Sequence, residues 1–186
     1  MCDTDSIIRC RWCNLKDPLY VKYHDEEWGV PVHDDKKLFE MLILESFQAG
    51  LSWETILRKR ESFRRAFDGF DAEVIAGYGE EKIASLLADT SIVRNRRKIT
   101  ASVLNARVYL DIVREFGSFD AYIWSFTHGE IIFEAGPANS PLSDVISADL
   151  KRRGMSFVGT TIIYAYLQAI GVINSHEAGC YLHRDR

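Results

Sequence analysis

The chain has 186 residues, 47% of them hydrophobic and 27% charged, with a formal net charge of −4 at pH 7. This describes an ordinary soluble globular protein, long enough to bury a sizeable core as one compact domain or two closely packed subdomains. The acidic balance argues mildly against a nucleic-acid partner, although positive charge is bunched at Arg58-Lys59-Arg60 with Arg64-Arg65, at Arg94 to Lys98 and at Lys151 to Arg153.

Residues 1–33 have no clean hydrophobic period, yet they concentrate Cys10, Trp12, Cys13, Tyr20, Tyr23, His24, Trp28 and His33. Aromatic side chains of this kind stack on a base or another flat ligand, and Cys and His bind metal. The alternative is an irregular arm that packs its tryptophans against the core.

Asp34 or Asp35 is expected to cap a helix running to about Gln48, with Leu38, Met41 and Leu42 on its buried stripe. The same period brings Glu45 onto that stripe, and a carboxylate on an apolar face must be paired or must serve a site. Glu45 is therefore the best single functional candidate from the residues alone, against the reading that it is a structural ion pair or a cap. Ser52 caps the next helix, from Trp53 to about Phe67, so Gln48-Ala49-Gly50-Leu51-Ser52-Trp53 forms a tight corner. Leu51 there suits a wedge into a base stack, or simply a hydrophobic cap.

Short helices are expected at Ala72 to Ala76 and Glu80 to Leu87, a long one from about Arg94 to Phe116, and another after Ser118 through Trp124. Gly129, Gly136, Pro137, Asn139 and Pro141 interrupt the segment from His128 to Pro141, which reads as a surface loop. Ser143 is expected to cap a helix that ends at Arg153. From Gly154 to Gly159 the pattern turns between two helices, and this helix-hairpin-helix arrangement would present the unpaired N–H groups of a new helix at Gly159 and Thr160 to a phosphate.

The helix after the hairpin is apolar on nearly every side, as a core helix flanked by others should be. The run from Phe157 to Ile173 is broken by Thr160, Thr161 and Gln168, so it is not a membrane span. No basic-then-apolar leader opens the chain, so a cytoplasmic protein without a membrane partner is expected. In such a reducing setting the four cysteines read as metal ligands or inert thiols. His176 and Cys180 stand one helical turn apart and need two further ligands from elsewhere. Cys10 with Cys13 would complete a tetrahedral set as well as other pairs from the arm.

Taken together, Asp17-Pro18-Leu19-Tyr20, Tyr23-His24-Asp25, Glu27-Trp28-Gly29-Val30-Pro31, Lys36 to Met41, Gln48 to Trp53 and Phe157 to Ile162 give a sequence that resembles the DNA-3-methyladenine glycosylase I family. The resemblance covers nearly the whole chain. It implies an all-α helix-hairpin-helix glycosylase fold of two packed helical subdomains, forming one unit over 1–186. In that unit a structural zinc joins the arm (1–33) to the C-terminal segment (174–186). The family's zinc ligands fall at Cys10, His24, His176 and Cys180, with Cys13 as the competitor.

By the same resemblance the base pocket falls at Glu45, Tyr23, Trp53 and Trp12, with Tyr20 and Trp28 nearby. Gln48, Gly50 and Leu51 fall where the family probes the gap left in the duplex. The implied activity is hydrolysis of the N-glycosidic bond of 3-methyladenine in alkylated double-stranded DNA, with the free base as product, by an enzyme expected to act as a monomer. The wider superfamily carries an aspartate where this chain has Asn174 and, in its lyase members, a lysine where this chain has Thr161. A monofunctional enzyme is therefore expected. The competing readings are a non-catalytic, zinc-stabilised DNA-binding module and a catalytic zinc hydrolase.

Overall fold

The structure is a computed structural model that describes residues 7–134, 136 and 138–184. Cys2 lies outside the described residues. The elements, in order, are α1 (Pro18–Glu26), α2 (Asp35–Gln48), α3 (Trp53–Ala66), a 3-10 turn (Asp68–Phe70), α4 (Ala72–Ala76), α5 (Glu80–Ala88), α6 (Arg96–Phe116), α7 (Phe119–Ser125), β1 (Ile132–Phe133), α8 (Pro141–Arg152), α9 (Thr160–Ala169) and β2 (Ile173–Asn174). The architecture is mostly helical. The two short strands pair in parallel, Ile132 opposite Ile173 and Phe133 opposite Asn174. Among the described residues, no helix is long and apolar enough to cross a membrane.

Helix starts are set by side chains that satisfy first-turn N–H groups. Asp34 accepts from Lys37 N at 2.8 Å, Asn95 from Lys98 N at 3.2 Å and Ser118 from Ala121 N at 2.9 Å. The helix ending at Arg152 is capped by Ser140 rather than by Ser143. Ser143 sits at the third helical position and returns a bond to Ser140 N at 2.9 Å, completing a capping box with Pro141 at the first position.

Two further expectations change. The arm contains a helix, α1, because Asp17 accepts from Leu19 N at 3.0 Å and Pro18 presets the first turn. The segment from His128 to Pro141 is not loop throughout, since Ile132 and Phe133 find β2 as an edge partner.

α2 is the central element. Every residue from Leu38 to Phe47 is buried, and α3, α6, α7 and α9 pack around it. α9 is a core helix as its composition requires, packed on α8 and α2. The arm docks on the end of α9 through Gly29 N to Gln168 O and Val32 N to Ile170 O, both 3.0 Å. Gly171 makes that docking possible. Its φ is +73°, and a Cβ there would lie 2.3 Å from the carbonyl carbon of Val30.

Candidate functional site

Three segments meet at a cavity of about 470 Å³, a volume typical of small-ligand sites. The arm supplies Trp12, Tyr20, Tyr23 and Trp28, α2 supplies Glu45 and Gln48 one turn apart, and α3 supplies its first residue, Trp53. All seven were expected at or near the base pocket or the gap-probing corner, and the fold brings them together. Trp53 reaches the cavity because Ser52 caps α3, accepting from Thr55 N at 3.3 Å, and so starts the helix at the indole.

The walls are aromatic. Tyr23 and Trp53 lie 5.2 Å apart between ring centroids with a 43° tilt, Tyr20 stacks near Tyr23 at 6.5 Å, and Trp12 meets Trp28 edge-on at 4.7 Å.

Three polar atoms at this cavity have no partner among the described residues. Glu45 is 2% exposed, and burial pushes its carboxyl up to about 8. Its Oε2, Gln48 Oε1 and Trp53 Nε1 are buried and have no hydrogen-bond partner among the described residues. A buried unsatisfied polar atom costs roughly 1–3 kcal/mol. Together the three present acceptors and one donor to whatever enters the cavity, solvent or ligand. Burial and the nearby Glu45 and Glu27 carboxylates also raise the Tyr23 phenol well above its ordinary range, so Tyr23 is a neutral wall.

Gln168 and Ala165 of α9, Ser175 beyond β2, and Arg11 with Glu177 at the rim also line the cavity, and sequence reasoning missed them. A readable signal existed for one: Gln168 is a polar break in an otherwise apolar helix.

At the corner after α2, Gly50 adopts φ +78°, and Leu51 N closes the turn on Gln48 O at 2.6 Å. Leu51 is 41% exposed and projects outward. At the hairpin, Gly154 adopts φ +106° and ends α8, with Met155 N bonded to Leu150 O.

Gly159 precedes α9 with an ordinary φ of −62°. A Cβ there would meet nothing within 4 Å, so the space it leaves open faces outward. The Thr160 hydroxyl is engaged within the fold, donating to Asp144 and lying 3.0 Å from Ser143 Oγ. What Thr160 offers outward is its backbone N–H, one of the first-turn groups that a helix leaves unpaired.

A second constellation lies behind the aromatic wall. Cys10, His24, His176 and Cys180 are all buried, and their ligand atoms lie within 4.8 Å of one another. Cys10 Sγ is 3.4 Å from His176 Nδ1, and Cys180 Sγ is 3.5 Å from both His176 Nδ1 and His24 Nε2. A tetrahedral zinc with ordinary Zn–S and Zn–N lengths would separate S and N by about 3.5 Å, so the donor set has the size of that coordination shell.

Outer groups aim the ligands. Asp25 Oδ1 lies 2.8 Å from His24 Nδ1, which turns Nε2 inward, and Arg9 grips Asp25 at 2.7 and 2.8 Å. Burial lowers His176 to about 4, keeping it in the neutral form that binds metal. Cys13 is outside this cluster, with its Sγ 4.0 Å from Tyr20 O. Asn174 does not line the aromatic cavity, and its Oδ1 accepts from His176 N at 3.3 Å. His183 Nδ1 lies 2.6 Å from His176 O.

The family model described as methyladenine glycosylase matches residues 12–183. The chain is 47% identical to the DNA-3-methyladenine glycosylase 1 of Escherichia coli (strain K12), covering 92% of this chain and 95% of that protein. It is 39% identical to the DNA-3-methyladenine glycosylase of Haemophilus influenzae, covering 92% and 96%. In three dimensions it is similar to a crystal structure of 3-methyladenine DNA glycosylase I, with a TM-score of 0.91 and 46% identity over 95% of this chain and 100% of that one. The Staphylococcus aureus enzyme, solved to show the structural basis of its 3-methyladenine recognition, superposes with a TM-score of 0.88 and 36% identity over 92% and 94%. An aromatic cavity with a desolvated carboxylate, a four-ligand cluster tying the arm to the C-terminal segment, and matches of this extent lead to one conclusion: the chain belongs to the methyladenine glycosylase family.

Proposed function

We infer that this protein is a DNA glycosylase that hydrolyses the N-glycosidic bond of 3-methyladenine in alkylated DNA. The observation that carries the reading is Glu45, desolvated and with Oε2 unpaired, in a cavity walled by Tyr23 and Trp53. Its relatives are named for this activity.

A glycosylase must extrude the nucleotide from the stack before it reaches the bond. Leu51 and Gln48 are suited to fill the gap left behind, on the turn that Gly50 permits, while the N–H groups at Gly159 and Thr160 hold a phosphate.

Alkylation at N3 places positive charge on adenine. A cationic purine stacks well on indole and phenol faces. A Glu45 carboxyl that is mostly protonated in the unliganded cavity ionises as the cation arrives, so the pairing forms with the damaged base and not with neutral adenine. The same positive charge makes the base a good leaving group, and little acid catalysis is required. An amide, Asn174, stands in for the superfamily aspartate and cannot act as a base, and Thr161 offers no amine for a Schiff base, which supports hydrolysis without lyase chemistry.

Cys10, His24, His176 and Cys180 fit a zinc ion, which would supply folding free energy by joining the arm to the C-terminal segment. Four protein ligands fill a tetrahedral shell, so the site is read as structural.

The test is incubation with N-methyl-N-nitrosourea-treated DNA and chromatography of the released bases. Release of 3-methyladenine without strand cleavage is expected, and no release above background overturns the reading.

A further inference from the structure

Among the buried polar side chains of α6, Ser102 bonds back into the helix at Lys98 O, whereas Lys98 and Asn105, two turns apart on one face and about 10 Å apart along the axis at 1.5 Å per residue, reach outside it. Each grips a different loop. Lys98 Nζ donates to Phe47 O at 2.7 Å and Ala49 O at 2.6 Å. These are carbonyls left open where α2 ends, and they belong to the backbone from which Gly50 and Leu51 project.

Asn105, fully buried, holds the hairpin from both sides. Its Nδ2 donates to Ser156 O at 2.9 Å, and its Oδ1 accepts from Ser156 N at 2.8 Å. The next residue, Phe157, adopts φ +57°, a conformation that a non-glycine residue holds only when its surroundings impose it. The Phe157 ring lies 6.0 Å from Lys98 Nζ, so the two grips also face each other. Neither side chain lines the base cavity. An ammonium buried in this way would not be retained for helix capping alone, which a solvated terminus achieves without desolvating a charge.

We propose that Lys98 and Asn105 are positioning residues that hold the gap-probing corner and the phosphate-binding hairpin at one fixed spacing, so that the extruded nucleotide arrives in register with the base cavity. This rests on the reading that the corner and the hairpin contact DNA. Phosphate contacts set where a protein sits on the duplex. The corner must then meet one particular base step, and misplacement by about an ångström can cost roughly a hundredfold in rate.

The experiment compares Lys98→Met, Lys98→Arg and Asn105→Asp with the intact protein. Single-turnover release of 3-methyladenine from methylated duplex is measured at saturating enzyme, alongside affinity for free 3-methyladenine by tryptophan fluorescence. Lys98→Met is expected to lower the release rate roughly 10- to 100-fold while free-base affinity stays within about twofold, and Lys98→Arg should recover part of the rate. Should Lys98→Met fail to fold, Asn105→Asp carries the test. It keeps an acceptor for Ser156 N and sets a carboxyl oxygen against Ser156 O in place of the donor, so the hairpin is pushed from its seat as the carboxyl ionises and the loss of rate should deepen as the pH rises.

Wild-type release by the folded variants, or a loss of free-base affinity in step with the rate, overturns the proposal. Leu51→Ala and Gly159→Val serve as controls. If both retain the full rate, the DNA-contact reading itself fails, and this proposal falls with it.

Discussion

Tyr23 and His24 are neighbours in the chain and serve two different sites. One ring forms a wall of the aromatic cavity, and the other presents Nε2 to the cysteine-histidine cluster. Successive residues on a helix point about 100° apart, so a single turn of α1 faces both sites. The position of the cavity wall is therefore tied to the integrity of the cluster.

Asp25→Asn tests that tie. Removing the charge that orients His24 is expected to weaken zinc retention about 10- to 100-fold, measured by competition with a chromophoric chelator. Free 3-methyladenine affinity should fall in parallel and return when excess zinc is added. Unchanged affinity in a zinc-depleted protein would separate the two sites.

Glu45→Gln should keep the fold and lose most affinity for free 3-methyladenine. It should also change how stability depends on pH. The carboxyl rises from 4.5 to about 8 on burial, so wild type keeps its full stability below about 4.5 and loses it as the pH climbs through 8. Glu45→Gln should melt at the wild-type temperature at pH 4.5 and above it at pH 9, where the stability difference reaches about 5 kcal/mol at most. Equal melting points at pH 9 would mean that Glu45 is already ionised in the fold.

Trp53→Phe retains an aromatic face and deletes the unpaired Nε1–H. Because that donor has no protein partner, its loss should leave the melting temperature unchanged or slightly higher. Free-base affinity should drop about tenfold, the value of one hydrogen bond in a dry site. Titration and thermal melts on the same sample separate the two effects.

Leu51→Ala removes a side chain that is substantially exposed, so stability should change by less than about 0.5 kcal/mol. Release from alkylated duplex should slow by about tenfold if the leucine props the opened stack, with free-base affinity unaltered. Single-turnover kinetics on duplex substrate decide this.

Much of the helical order was legible because it depends on local chemistry. The caps at Asp34, Ser52 and Ser118, and the apolar period of α2, each fix an element from a handful of adjacent residues. Glu45 stood out for a similar reason, as a carboxylate on a stripe that burial makes costly. Ser140 and Ser143 were harder to separate, since a capping box uses both and either satisfies the local signal. α1 was hidden because its two inward faces serve a cavity and a ligand cluster, leaving no simple apolar period. β1 pairs with a strand about forty residues away, a relation that no local window contains. Lys98 read as part of a basic surface run, and only the carbonyls of Phe47 and Ala49 show why it is buried.

Cys10 and His176 stand 166 residues apart in the chain and 3.4 Å apart in the fold. Closing so long a loop carries a large entropic cost, and the second thiol ligand, Cys180, is made later still. During synthesis the arm can already pack on α3, through Asp17 with Arg58 and Glu27 with Arg60, long before His176 and Cys180 are made. The cluster of Cys10, His24, His176 and Cys180 is thus among the last of the arm's contacts that synthesis can complete.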